Sequence, residues 1–194
     1  MRFIVKRILW AMIVLEIGLV LYKYSPPETS KAFLSMVFPG YESCDFSDLD
    51  PEFQKKLSQV FKNLGEKGYR PKIYSAYRSA EMQEFYFSSS EQLKSAGVSG
   101  ITRAKGGRSC HNKVDSAGRP ASLAADIWGA PYGAFLSLKL DLNFRTHVQF
   151  FRALGEEVKQ QGLLWGGDWT STSSIWSPEG LGWDPAHVQM GSCQ

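Results

Sequence analysis

Two histidines and one aspartate in the second half of the chain place the strongest constraint on its fold. His111 lies in a loop rich in glycine and serine, whereas Asp126 and His187 stand among apolar residues. A carboxylate inside an apolar strand is costly unless it is paired or bound to a metal. The three side chains have a common explanation if the fold brings them around one cation. Three protein ligands with an open fourth position are typical of a catalytic zinc site.

A second carboxylate strengthens this interpretation. Asp184 precedes His187 by three residues, so a short strand or a turn would hold both side chains near one metal. A carboxylate beside a metal can take a proton from water, which is the chemistry of hydrolysis. Asp115 is a weaker alternative ligand. His147 lies among Val and Phe on a predicted helix, and we interpret it as structural or exposed.

The start of the chain predicts a membrane segment over residues 1–24. Its core is almost wholly apolar, and the stretch 3–22 approaches the roughly 20 residues that span a bilayer. Positive charges precede the core at Arg2, Lys6 and Arg7. This flank favours a single-pass helix with its N-terminus inside. We therefore expect residues 3–22 to anchor the chain in the inner membrane, with the C-terminal domain in the periplasm.

Alternatives to a permanent anchor stay open. A cleaved signal peptide has the same charged start, but no clear small-x-small cleavage site follows the apolar run. Glu16 inside that run weakens membrane retention if it is ionised, which is compatible with release to the periplasm. The net charge of +3 comes without any long basic run, so the composition does not indicate nucleic-acid binding.

Several local patterns predict the elements of the exported part. Asp50 as N-cap and Pro51 in the first turn predict a helix start. One apolar face follows at helical spacing, formed by Phe53, Leu57, Val60, Phe61 and Leu64. Ser79 and Thr146 are predicted to cap two further helices. Strands are predicted at 72–77, 123–128, 163–165 and 186–190.

Helices and strands that alternate without a regular βαβ rhythm predict an α+β fold. We expect a small antiparallel sheet flanked by helices around a zinc site, preceded by one N-terminal transmembrane helix. Residues 1–24 are the predicted anchor, 25–49 a linker and lead-in, and 50–194 the catalytic domain.

The three cysteines show no CxxC spacing, which argues against a structural zinc knuckle. In an exported domain two of them can pair. A bond between Cys44 and Cys193 would tie the start of the domain to its end. Cys110 is interpreted as a small buried side chain, in preference to a disulfide partner or a metal ligand.

A set of motifs gives the strongest indication of function. In chain order they are Tyr77-Arg78-Ser79, Ser109-x-His111, Ser122-x-Ala124-x-Asp126, Trp165-Gly166-Gly167-Asp168-Trp169 and Asp184-x-x-His187. The combination resembles the zinc D-Ala-D-Ala carboxypeptidase and L-alanyl-D-glutamate peptidase family. These enzymes cut peptidoglycan and include relatives of the vancomycin-resistance carboxypeptidases and many phage endolysins. The resemblance covers roughly residues 50–190.

The resemblance implies a role for each matching residue of the centre. His111, Asp126 and His187 would bind one Zn²⁺ ion, and Asp184 would be the general base. The chain departs from the family in residues 113–121, which include additional sequence between the first two ligands. Because this sequence is rich in turn formers, we expect it to form a surface loop that leaves the ligands in place.

The remaining motif residues would serve the substrate or the ligands. Arg78 is expected to hold a substrate carboxylate or a polarised carbonyl, for which its planar fork is suited. Ser109 and Trp169 are further expected substrate contacts. Asp168 is expected to orient His187 or another ligand, with a turn cap as the equal alternative.

The favoured function is a zinc peptidase acting on peptidoglycan stem peptides. The Trp-Gly-Gly-Asp-Trp block resembles the endopeptidase branch, so cleavage of the L-Ala–D-Glu bond is preferred. A D-Ala-D-Ala carboxypeptidase is the alternative enzyme. A non-catalytic, membrane-anchored module that binds peptidoglycan is a further alternative, although all four candidate metal and base residues are present.

Overall fold

The structure is a computed structural model that describes residues 40–95, 101–129, 144–169 and 181–193, with the backbone alone for 144–147. Residues 40 onward belong to one structural unit. Among the described residues, no helix combines the length and apolar character needed to cross a membrane. The membrane helix predicted for residues 1–24 lies outside the described residues, as does the linker up to residue 39.

Four short strands form an antiparallel sheet, as the sequence predicts. The strands are β1 (Pro71–Ser75), β2 (Ala124–Gly129), β3 (Leu164–Trp165) and β4 (His187–Gln189). Their order across the sheet is β1-β2-β4-β3, with each neighbouring pair antiparallel. The predicted α+β class, with a small antiparallel sheet and flanking helices, is therefore confirmed.

Within the described ranges, three α-helices accompany the sheet: α1 (Pro51–Glu66), α2 (Ala80–Ser95) and α3 (Phe144–Gln160). The predicted cap of α1 is confirmed, because the Asp50 carboxylate accepts hydrogen bonds from the backbone N–H groups of Glu52 and Phe53. Thr146 is not the cap of α3, which begins two residues earlier at Phe144. Three-residue 3₁₀ helices lie at Phe46–Asp48, Cys110–Asn112 and Gly166–Asp168.

The hydrophobic core lies between one face of the sheet and the helices α1 and α3. On β2 the core face carries Ala125 and Ile127, and on β4 it carries Val188. The helices contribute the predicted apolar face of α1 and a matching face of α3; its fully buried members include Phe53, Leu57, Val60, Leu64, Phe151, Leu154 and Val158. Because side chains alternate along a strand, the opposite face of the sheet is left for polar groups.

Two features differ from the sequence predictions. Residues 40–49, assigned to the lead-in, pack within this unit, where Leu49 is buried in the core and Glu42 forms a backbone bridge with Arg78. The disulfide joins Cys110 to Cys193, so the interpretation of Cys110 as a buried side chain outside any disulfide is wrong. The bond considered between Cys44 and Cys193 does not form, and Cys44 is an exposed free thiol. Sequence spacing could not show that the C-terminal segment passes beside the turn of Cys110.

Candidate metal centre

The sheet itself brings two of the predicted ligands together. Asp126 on β2 and His187 on β4 are direct partners in the antiparallel register. Side chains of such partners stand on the same face of a sheet, a few ångströms apart. Ser75 of β1 pairs with Asp126 on the other side, after a register shift between Ile73 and Ser75. A bulge of this kind re-aims a side chain, and here it turns Ser75 towards the polar face.

His111 reaches the same place from a capped turn. The Ser109 hydroxyl accepts a hydrogen bond from the backbone N–H of His111, and Asn112 accepts one from the backbone N–H of Ser109, which together form a capping box. Ser109 is buried, so the structure places it in support of His111. Its expected contact with a substrate stays a prediction.

The three candidate ligand atoms form a compact triangle. The Nε2 atom of His111 lies 3.4 Å from Nδ1 of His187 and 3.4 Å from Oδ1 of Asp126. The Nδ1 atom of His187 lies 3.0 Å from the same Asp126 oxygen. Two atoms that each lie about 2.0–2.1 Å from a tetrahedral zinc are about 3.3 Å apart. The triangle therefore has the dimensions that one zinc ion requires, and these residues form a group able to hold a metal.

Hydrogen bonds fix which nitrogen of each histidine faces the centre. The Nδ1 atom of His111 lies 2.6 Å from the carbonyl oxygen of Ala76. A carbonyl oxygen only accepts, so Nδ1 carries the proton and Nε2 of the neutral ring is left as a ligand. Burial lowers the pKa of His111 despite the nearby Asp126 carboxylate, which favours that neutral ring.

Gln189 performs the same task for His187 and was missed by the sequence analysis. The Gln189 side-chain amide donates to the carbonyl oxygen of Gly191 at 2.7 Å, so its oxygen faces Nε2 of His187 at 3.0 Å. Nε2 therefore carries the proton and Nδ1 is the ligand atom. The signal was present, because residues two apart on a strand share one face.

Asp126 and Asp184 have opposite electrostatic environments. Burial disfavours the Asp126 carboxylate, but His111 and His187 outweigh it and hold its pKa well below the usual range. Burial, together with the charge of Asp126, raises the pKa of Asp184 to about 6. The backbone of Asp184 is held in a turn, since its carbonyl oxygen accepts from the N–H of His187. The surroundings of Asp126 thus favour its charged form, and those of Asp184 favour its neutral form.

Arg78 is buried behind the centre. Its Nη2 group donates to Oδ2 of Asp126 at 3.4 Å, and its Nη1 group donates to the Gln83 side chain at 2.9 Å. The Asp126 oxygen that contacts Arg78 is therefore the one turned away from the histidines. This geometry places Arg78 on a ligand, whereas the sequence resemblance assigned it to the substrate.

The last two motif residues have different surroundings. The Trp169 ring stands 5.0 Å from the His187 ring, measured between centroids, so Trp169 forms a wall beside the centre. Asp168 is exposed and forms a 2.8 Å ion pair with Lys159. The orienting contact that the structure shows for His187 comes from Gln189, not from Asp168.

The additional sequence between His111 and Asp126 forms the expected surface loop. A bridge between Val114 and Pro120 closes it, and the Asp115 carboxylate accepts from the backbone of Ala117 and Arg119. Asp115 is thereby committed to the loop and is not part of the metal-binding group. The side chain of His147 lies outside the described residues.

No known protein-family profile matches the chain, and no curated protein matches its sequence. Solved structures do show similarity. A zinc complex of a variant of the vancomycin-resistance D,D-pentapeptidase VanY is 20% identical, with a TM-score of 0.46 over 73% of this chain and 71% of that one. The LD-carboxypeptidase LdcB is 18% identical, with a TM-score of 0.46 over 73% and 58%. The Serratia marcescens L-Ala D-Glu endopeptidase ChiX is 16% identical, with a TM-score of 0.43 over 75% and 83%.

All of the similarities are weak in sequence and in superposition. A functional assignment for this chain therefore rests on the side chains of its own centre.

Proposed function

We propose that this chain is a zinc-dependent peptidase that hydrolyses the stem peptides of peptidoglycan. The observation that carries the proposal is the triangle of His111, Asp126 and His187, whose ligand atoms have the spacing of a tetrahedral zinc site. Among the described residues, no fourth ligand joins this group. A structural zinc site would be closed by a fourth protein ligand. Here the neighbouring side chain is Asp184, a carboxyl group suited to proton transfer.

Zinc, when bound, polarises the substrate carbonyl and makes water more acidic. Asp184 takes a proton from the attacking water as the new C–O bond forms at the scissile amide. It then gives that proton to the nitrogen as the C–N bond breaks, so the amine leaves neutral. The carboxylic acid product keeps the water oxygen and the second water proton, which it releases to solvent on ionising. A group whose pKa lies near the working pH is effective in both directions.

The other residues of the centre hold these groups in position. Ala76 and Gln189 set the ring tautomers of the two histidines. Arg78 supports Asp126 from behind. Trp169 covers one side of His187 and offers an aromatic surface to a bound peptide.

Cleavage between L-Ala and D-Glu is the preferred reaction within this proposal. The support is the Trp165-Gly166-Gly167-Asp168-Trp169 block, which resembles the endopeptidase branch of the family. Its first residues end β3 and begin the 3₁₀ helix that packs against Asp184 and His187. Removal of terminal D-Ala is the alternative that the same centre would allow.

The proposal is tested with the full chain, loaded with zinc and incubated with purified peptidoglycan. Mass spectrometry of the products identifies the bond. New D-Glu amino ends are expected, whereas loss of one terminal D-Ala would assign the carboxypeptidase instead. Asp184→Ala is the matched control and should leave the wall intact. Tight wall binding without cleavage by the parent chain would reject the peptidase and favour the binding module.

We also propose that residues 3–22 hold the chain in the inner membrane, with the catalytic domain in the periplasm. The apolar N-terminal stretch and its positive flank support this topology. The Cys110–Cys193 disulfide supports an oxidising compartment. Fractionation before and after collapse of the membrane potential tests it. A protein found in the soluble fraction under both conditions would reject the anchor, and release only after collapse would identify a releasable one.

A further inference from the structure

The guanidinium of Arg78 is held by a second carboxylate besides Asp126. Its Nε and Nη2 atoms each lie 2.9 Å from Oε1 of Glu42. The Nη1 group donates to Gln83 at 2.9 Å, and Nη2 also donates to Ser75 at 3.1 Å and to Asp126 at 3.4 Å. The contact with Glu42 is thus shorter and more extensive than the contact with the candidate ligand.

Glu42 is itself fixed from several sides. Its Oε1 atom accepts from the Ser75 hydroxyl at 2.6 Å, and its Oε2 atom accepts from the Tyr86 hydroxyl at 2.7 Å. The Tyr86 ring also lies against the Arg78 guanidinium, 4.8 Å from Cζ to the ring centroid. A backbone bridge joins Glu42 to Arg78. The position of the Glu42 carboxylate therefore determines where the Arg78 guanidinium lies.

The position of Arg78 affects the metal-binding group through Asp126. Arg78 contacts Oδ2 of Asp126, whereas Oδ1 faces both histidines. A guanidinium held in this place presents one oxygen of the carboxylate to a cation and occupies the other. Partners of this kind that orient a ligand alter metal affinity strongly even though they do not touch the metal.

Charge leads to the same conclusion. Arg78 is buried and permanently cationic, and it lies one carboxylate away from the place where a divalent cation would bind. Two positive groups so close in a partly buried site repel each other. The negative charge of Glu42, in direct contact with the guanidinium, offsets that repulsion.

We propose that Glu42 is a positioning residue for the metal centre, which holds Arg78 against Asp126 and neutralises the guanidinium charge beside the bound cation. This inference rests on the metal site of the proposed function. It gives Glu42 a role in zinc affinity that is separate from any contribution of the ion pair to folding.

The test is a double-mutant cycle read out as the zinc dissociation constant of the full chain, measured by competition with a chelator. Glu42→Gln keeps the shape and an acceptor oxygen but removes the charge, and should weaken zinc binding by about 10- to 100-fold. In the Arg78→Met background the same substitution should change the dissociation constant less than about threefold, because its target is gone. Equal losses in both backgrounds, or no loss in either, would overturn the proposal.

Two further variants serve as a control and as a substitute for Glu42→Gln. Glu52→Gln makes the same chemical change in an exposed helical pair with Lys56 and should leave zinc binding unchanged. If Glu42→Gln does not fold, Tyr86→Phe replaces it, because the ring is kept and only the donor to Oε2 is lost. That variant should weaken zinc binding by roughly two- to fivefold, and an unchanged dissociation constant would overturn the proposal.

The two proposals fail in different ways. A parent chain that binds zinc and shows the expected cycle, but cuts no stem peptide, would reject the peptidase and keep the role of Glu42. A parent chain that binds no zinc would overturn both the metal site and the role of Glu42.

Discussion

At the scale of single residues, the centre separates two carboxyl groups by their surroundings. Asp126 lies between two imidazoles and a guanidinium, which all favour its charge. Asp184 lies in a desolvated position beside that charge, which favours its neutral form. Pairs of acids whose pKa values are driven apart in this way divide the tasks of ligand and proton carrier.

The metal-free protein should show this division in its stability. Because folding raises the pKa of Asp184 from 3.8 to about 6, its contribution is fully present below about pH 4 and is lost as the pH rises through about 6. With zinc chelated, Asp184→Asn should therefore be more stable than the parent at neutral pH, by on the order of 3 kcal/mol. Urea denaturation across this pH range measures the difference. An equal difference at all pH values would contradict the prediction.

A second residue-scale prediction concerns Gln189. Gln189→Leu removes the oxygen that faces Nε2 of His187, so the ring is free to rotate and a buried N–H loses its partner. Zinc affinity should fall by about 10- to 100-fold. Gln189→Glu keeps an acceptor at the same place and should bind zinc at least ten times more tightly than Gln189→Leu, on the order of the effect of such partners. Chelator competition measures both, and equal affinities would contradict the role of Gln189.

The metal-binding group could be predicted from the sequence because few arrangements satisfy polar side chains in such positions. Polar residues of ligand type in apolar surroundings have few explanations, which pointed to Asp126 and His187. His111 was placed with them by its motif and by its position in a loop rich in glycine and serine. Their supporting residues were harder to find. Glu42 acts through contacts with residues more than thirty positions away, and no local pattern marks such a partner. Arg78 was recognised by its motif, but only the folded structure shows that its donors face inward.

At the scale of elements, the register of β2 with β4 does most to assemble the centre. Asp126 opposes His187, so a slip by one residue would turn one of them into the core. The strands were predicted from apolar runs, but their pairing was not, because short strands leave their partners unspecified in the sequence. The start of α3 was also predicted wrongly. Threonine is a common N-cap residue, so Thr146 was chosen as the cap, but the helix begins at Phe144.

Gly166, the first residue after β3, packs closely against the segment that carries Asp184 and His187. A Cβ there would overlap the carbonyl oxygen of Asp184 and crowd His187. Gly166→Ala should therefore displace the turn that carries both residues and lower kcat by about 100-fold or more, since small displacements of catalytic groups are costly. Steady-state kinetics on a stem peptide measure the effect.

Gly65 offers the matched control for this prediction. It lies within α1, and a Cβ there would meet nothing within 4 Å. Gly65→Ala should keep full activity and gain up to about 1 kcal/mol of stability, because alanine loses less backbone freedom in a helix. Similar activity in both alanine variants would show that the Gly166 contact does not position the centre.

At the scale of the whole molecule, the disulfide connects the segments that carry the two histidines. Cys110 directly precedes His111, and Cys193 follows the strand that begins at His187. The bond spans 83 positions of the chain, so it closes a loop that contains β2, β3 and β4. It therefore restricts the unfolded chain and also the distance between two metal ligands.

Loss of the disulfide should affect stability and metal binding together. The Cys110→Ser, Cys193→Ser double variant should lose about 2–4 kcal/mol of unfolding free energy in the metal-free state. Its zinc affinity should also fall, because the segments of His111 and His187 are then held by weaker contacts alone.

A reducing agent should produce the same two changes in the parent chain, whereas Cys44→Ser, which removes the exposed thiol, should produce neither. Denaturation and chelator competition on the same samples measure the unfolding free energy and the zinc affinity. Reduced stability with unchanged zinc affinity would mean that the sheet and the capped turn of Ser109 place the ligands without help from the disulfide.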